Sequence, residues 1–156
     1  MAETRWRRAA TAEMDKVLKE YPSMASFLMP AVFNALMQSE EPQHAVALQP
    51  RVCDVLIANE DAESLNSLAW MIVDPAEEIE KRDLATAERA AKKAVELTKE
   101  QDWAIIDTLA RVHFWKQDYK QAVVWQRKAV ALCEEGEDRD GLAATLAEYE
   151  ELLGGK

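Results

Sequence analysis

The chain has 156 residues, of which 49% are hydrophobic and 31% are charged, and its formal net charge is −10. This length corresponds to one domain or a short array of repeats, and the apolar content argues against a disordered chain. Only four glycines and five prolines are present, too few for the many tight turns of an all-β protein. The composition therefore predicts a helical protein with an apolar core.

Residues 1–60 are expected to form an N-terminal group of helices. Apolar residues recur at helical spacing in three segments, approximately residues 4–20, 23–39 and 42–59. The second and third segments contain prolines, Pro30 and Pro50, which leave their helix bounds open because proline interrupts helical hydrogen bonding.

Five further helices are predicted after residue 60. Their approximate bounds are 61–73, 84–98, 103–116, 119–134 and 142–153, with a polar loop over residues 134–141 before the last one. Asp118 with Gln121 three residues later has the arrangement of a capping box. No segment shows the alternation typical of a strand.

The strongest pattern is an internal repeat. Leu68 and Ala69 recur 41 residues later as Leu109 and Ala110. Four landmarks of the next helix recur after 35 residues: Leu84, Ala87, Ala94 and Val95 return as Tyr119, Ala122, Ala129 and Val130. Small residues are needed where helix backbones cross closely, so the alanines predict stacked helical hairpins, each burying its apolar face against the next. An unrelated helical bundle with coincidental alanines is the alternative.

This pattern resembles the tetratricopeptide repeat (TPR), a family of 34-residue helical hairpins. The resemblance implies an all-α fold of antiparallel hairpins stacked as a short right-handed solenoid. Residues 62–136 would form two repeats, residues 142–153 a C-terminal capping helix, and residues 24–57 a degenerate third repeat. The chain departs from the family pattern where alanine replaces glycine at Ala69 and Ala110, and where Gln117 replaces the usual turn glycine.

A narrower resemblance concerns the strings LNSLAW, RDLATAERAAKKAVELT, DTLARVHF and AVVWQRKAV. They are similar to the TPR-type tail that follows the thioredoxin-fold domain in some bacterial redoxin-like proteins. The chain contains neither that domain nor a CxxC motif. The resemblance implies that the chain could be an accessory domain of a larger redox or other enzyme whose catalytic part lies elsewhere.

The sequence contains no recognisable catalytic or metal-binding motif. Cys53 and Cys133 match no zinc spacing, and the two histidines, His44 and His113, belong to no triad or HExxH motif. His113 is expected to be an inner-face histidine whose hydrogen bonds are satisfied, and not a metal ligand. We therefore expect no enzyme activity, no cofactor and no metal.

Charge and hydropathy also bear on partners. Residues 71–130 carry eleven basic and eleven acidic side chains, so the acidity lies before and after the repeats. An acidic chain with interleaved charges disfavours binding to nucleic acid, and no apolar stretch is long enough to cross a bilayer.

The N-terminus lacks the apolar region of a signal peptide, so we expect a cytoplasmic protein, unless the chain is an excised domain.

In TPR arrays the first helix of each hairpin lines a concave groove. The matching positions predict a groove for a partner segment, formed by Asn66, Trp70, Asp107, Arg111, Phe114 and Trp115. Trp70 and Phe114 would provide apolar contacts, and Arg111 would pair with a carboxylate. Alternatively, Asp107 and Arg111 pair with each other across one helical turn. The chaperone-tail clamp of some family members is missing, because Trp70, Asp107 and Thr108 stand where it needs asparagine or lysine.

The sequence thus favours a non-enzymatic interaction scaffold that binds an unidentified protein or peptide or associates with itself. An open stack leaves an apolar end, which makes a homodimer a reasonable expectation.

Overall fold

A computed structural model describes residues 16–17, 19–21, 24, 43–74, 76 and 82–155, with only the backbone over 43–47. The chain divides into two compact units, Met1–Asp61 and Ala62–Lys156. Most of the helices predicted over residues 4–20 and 23–39, and much of the degenerate repeat expected at 24–57, lie outside the described residues.

In the first unit, helix α1 spans Gln43–Ala58 and continues through Pro50. Its buried side chains include Val52, Cys53 and Leu56. The helix ends where Glu60 adopts a positive φ of 53°. This confirms the helix predicted over residues 42–59.

The second unit consists of five helices. They are α2 (Ala62–Val73), α3 (Leu84–Leu97), α4 (Trp103–Trp115), α5 (Tyr119–Leu132) and α6 (Glu137–Gly154). No strand occurs in the part of the chain that the structure describes, and the all-α prediction is confirmed there.

The last helix begins five residues before the expected Leu142, so the loop expected over residues 134–141 is shorter. Glu137, Asp138 and Asp140 lie in its first turn. Acidic side chains there interact favourably with the partial positive charge of a helix N-terminus, which explains why this polar segment is helical.

Consecutive helices of the second unit pack against each other, and α2 also packs against α4. The repeat alanines are completely buried, as the close crossing of helices requires: Ala69, Ala87, Ala94, Ala110, Ala122 and Ala129. The small residues therefore lie in the core, as the repeat predicts.

Aspartates begin three of these helices. The side chains of Asp83, Asp102 and Asp118 accept hydrogen bonds from backbone N–H groups in the first turns of α3, α4 and α5, which satisfies donors that have no partner within the helix. For Asp118 the donor is the N–H of Gln121, at 3.2 Å. This is one half of the predicted capping box.

Candidate functional site

The six predicted groove residues lie on two helices that pack against each other. Asn66 and Trp70 lie one turn apart on α2, and Asp107, Arg111, Phe114 and Trp115 follow α4 at spacings of four, three and one residues. Residues three or four positions apart share a helix face, so Asn66 and Trp70 share a face of α2, and Asp107, Arg111 and Phe114 share a face of α4. The environments of the six residues differ.

Trp115 joins the C-terminal ends of α4 and α2. Its indole N–H donates a 2.8 Å hydrogen bond to the carbonyl oxygen of Val73. The guanidinium of Arg82 lies over the indole ring, 4.1 Å from its centroid, and donates to the carbonyl oxygens of Ile72 and Asp74. Trp115 and Arg82 together satisfy carbonyl groups that a helix end leaves without partners, so these contacts give Trp115 a structural role.

Phe114 holds α6 against the rest of the unit. Its ring is stacked on Tyr149, with centroids 4.8 Å apart, and makes edge contacts with Tyr119 and Trp115 at 5.8 and 5.9 Å. The ring packs against a buried cluster to which Ala110, Ala122 and Val123 belong. Most of its contacts are therefore internal.

Asp107 takes part in a junction of three helices. Its Oδ1 accepts a 2.8 Å hydrogen bond from Nε2 of Gln126 on α5. The same amide nitrogen donates to the carbonyl oxygen of Leu142 on α6, at 3.3 Å. Burial raises the pKa of Asp107, although Gln126 and Arg111 act in the opposite direction. The predicted Asp107–Arg111 pair does not form an ion pair among the described contacts.

Among the described residues, Arg111 contacts an aromatic ring and forms no ion pair with a carboxylate. Its guanidinium carbon lies 5.6 Å from the ring centroid of Tyr149, within the range of a cation–π contact. Its Nε is buried and has no hydrogen-bond partner among the described residues. Tyr149 is completely buried, its hydroxyl likewise has no partner in the described part of the chain, and burial raises its pKa.

Asn66 and Trp70 are both half-buried on α2. The side-chain oxygen of Asn66 is buried without a hydrogen-bond donor among the described residues. We use the name α2–α4 face for the four residues Asn66, Trp70, Asp107 and Arg111, which the sequence predicts to line one groove.

Sequence reasoning missed the roles of Arg82, Gln126 and Tyr149. A signal for Gln126 exists in the repeat, since it lies 35 residues after Ala91 and both residues are completely buried. A large polar residue at a buried alanine position indicates a specific hydrogen-bonding partner. For Arg82 the sequence contains no comparable signal.

His113 is buried at the end of α4, as predicted, but its Nδ1 has no hydrogen-bond partner among the described residues, so the expectation of a satisfied side chain is wrong for this atom. Its Nδ1 lies 3.7 Å from Oδ2 of Asp118, and burial lowers its pKa while Asp118 opposes that effect. In the described residues no group of three or more His, Cys, Asp or Glu side chains is placed to hold a metal ion.

No protein-family model matches the chain, and neither a curated protein nor a solved structure is significantly similar to it. The resemblance to TPR proteins and to redoxin tails therefore stays a prediction. No helix in the described residues has the length and apolarity needed to cross a membrane.

Proposed function

We propose that this chain is a non-enzymatic TPR-like helical stack whose α2–α4 face binds a segment of another protein. Contacts between alternate helices support the stack. Trp115 at the end of α4 bonds to Val73 at the end of α2, and Phe114 of α4 stacks on Tyr149 of α6, 35 residues later. Such like-to-like contacts, spaced by about one repeat, are typical of helical hairpins that stack in one direction.

The observation that carries the proposal is that Nε of the Arg111 guanidinium lacks a hydrogen-bond acceptor in the described part of the chain. Buried polar groups in folded proteins almost always have hydrogen-bond partners, and Nε of Arg111 has none among the described residues. Arg111 as a whole is half-buried, so a carboxylate or carbonyl group of a bound segment would pair with the accessible part of its guanidinium. Arginine is also enriched among the residues that dominate binding energies.

Two neighbours extend this binding surface. The half-buried amide of Asn66 would hydrogen-bond to the backbone of an extended segment, and the half-buried Trp70 would cover an apolar side chain. Phe114 and Trp115 are assigned to packing within the stack, where their contacts hold α6 and α2 in place. Asp107 is hydrogen-bonded to Gln126 within the stack, so the partner-contacting set narrows to Asn66, Trp70 and Arg111.

The test is affinity capture from a lysate of the source organism, with mass spectrometry and then titration calorimetry on the captured protein. The double variant Trp70→Ala/Arg111→Ala should weaken binding of that protein by about 30-fold or more, the effect of losing about 2 kcal/mol at a central contact. Val124→Ala is the matched control, because Val124 is 52% exposed on α5 and should bind as the wild type does.

Circular dichroism of each variant establishes that the helices are retained. Unchanged affinity of a folded double variant would overturn the proposal for this face. Light scattering of the purified chain checks the predicted homodimer, and a dimer that the double variant disrupts would identify a second copy as the bound partner.

A further inference from the structure

Gln126 is a completely buried amide with an unused acceptor. Its Nε2 donates to Asp107 Oδ1 and to the carbonyl oxygen of Leu142, whereas its Oε1 has no donor among the described residues. An unsatisfied buried carbonyl oxygen costs about 1–3 kcal/mol. A donor that approaches this oxygen would therefore stabilise the junction of α4, α5 and α6.

Two buried donors, the hydroxyl of Tyr149 on α6 and Nε of Arg111 on α4, have no partner in the described part of the chain, so neither of them donates to Gln126 Oε1. The side chain that the structure does place against this amide is the carboxyl of Asp107, through Oδ1. A carboxyl group gains an O–H donor when it is protonated.

We propose that Asp107 pairs with the buried amide of Gln126 through two hydrogen bonds when its carboxyl is neutral, so that one proton on Asp107 controls the attachment of α6. In this acid–amide pair, Nε2–H donates to Oδ1 and the carboxylic O–H donates to Oε1. The second N–H of the amide still donates to Leu142 of α6. Loss of the proton removes the donor to Oε1 and leaves an anion in a buried junction, which weakens the contact that α6 makes through Gln126.

The groups around Asp107 are compatible with a neutral carboxyl. Burial is the largest influence on its pKa and favours the protonated form, and Arg111 on the same helix opposes it. From α5, the hydrogen bond of the Gln126 amide also lowers the pKa, whereas the α6 neighbours, the carbonyl of Leu142 and the phenol of Tyr149, carry no charge. No charged side chain of α2 or α3 contributes to the shift in the described structure.

The sign of the pH dependence follows from this arrangement. A carboxyl whose pKa is raised by folding binds its proton more tightly in the native state. Its stabilising effect is complete below the unfolded value of 3.8 and is lost as the pH rises through the folded value. Each pKa unit between the two values changes the unfolding constant tenfold.

The test compares the full chain with Asp107→Asn and Asp107→Ala. Asparagine offers a carbonyl to Nε2 and an N–H to Oε1, so it reproduces both hydrogen bonds without a titrating proton. We expect Asp107→Asn to be at least as stable as the wild type at neutral pH and to lack the loss of stability with rising pH. Asp107→Ala should be less stable at every pH, and Glu151→Gln, an exposed change near the C-terminal end of α6, should follow the wild type.

A direct measurement keeps the proposal testable if Asp107→Asn does not fold. Carbon-detected NMR of the wild type follows the Asp107 carboxyl through its titration. A midpoint above 3.8, with amide-exchange protection of α6 falling as Asp107 ionises, supports the proposal. A midpoint at or below 3.8, or an Asp107→Asn variant that folds but is less stable than the wild type at neutral pH, overturns it.

Discussion

Replacement of Trp115 by phenylalanine separates a structural role of this residue from a role in binding. The change keeps an aromatic ring against Phe114 but removes the indole N–H that donates to Val73 at 2.8 Å. It also replaces the ring under Arg82 with one that binds a cation more weakly. The consequence is a weaker attachment of the end of α2 to the end of α4.

The expected loss follows from these contacts. Leaving the Val73 carbonyl oxygen without the indole donor costs about 1–3 kcal/mol, and the weakened cation–π contact costs about 0.5 kcal/mol more. We therefore expect Trp115→Phe to lower the free energy of unfolding by about 2 kcal/mol. Because the proposed contact residues are unchanged, the folded variant should still capture the partner.

Urea denaturation followed by far-ultraviolet circular dichroism measures this loss. Trp125→Phe is the matched control, since Trp125 is half-buried on α5 and its indole makes no hydrogen bond recorded among the described residues. The control should lose less than about 1 kcal/mol. A Trp115→Phe variant that has wild-type stability but no longer binds the partner would refute the reasoning. Trp115 would then be assigned to partner binding in the groove.

Three further changes test the helix packing, a turn and an ion pair. Ala122→Leu places a large side chain at a completely buried crossing and should cost about 1–3 kcal/mol in urea denaturation, whereas Ala131→Leu on the exposed side of α5 should change stability by less than about 0.5 kcal/mol. Gln117 has a φ of 60°, a conformation that glycine adopts more easily, so Gln117→Gly should raise the melting temperature, and a lower one would contradict this strain. Burial raises the pKa of Glu88, but hydrogen bonds from two lysines outweigh that effect and lower the pKa to about 2. Glu88→Gln should therefore cost about 1 kcal/mol at pH 7, with the difference from wild type shrinking as the pH falls below 4.5, and an acid denaturation profile parallel to that of wild type would contradict it.

The helices and the repeat could be predicted because their determinants are local. Three aspartates supply the first-turn acceptors of α3, α4 and α5, and alanines mark the helix crossings that the structure buries. The start of α6 was predicted too late because residues 137–141 are polar and contain Gly141. The periodicity of apolar residues cannot predict a first turn that is polar and is stabilised by the charges of acidic side chains.

The candidate site could be predicted only in part, because helix periodicity gives the face of a residue and not its partner. Asp107 and Arg111 have the spacing of an intrahelical pair, yet the structure connects Asp107 to Gln126 on another helix and leaves Arg111 against Tyr149. Both partners come from elements that join only after the helices stack. The same holds for Arg82, since its bonds to the end of α2 depend on the path of the connection between α2 and α3. Arg82 lies just before α3 and binds carbonyl groups at the end of α2, a long-range contact that helix periodicity does not predict.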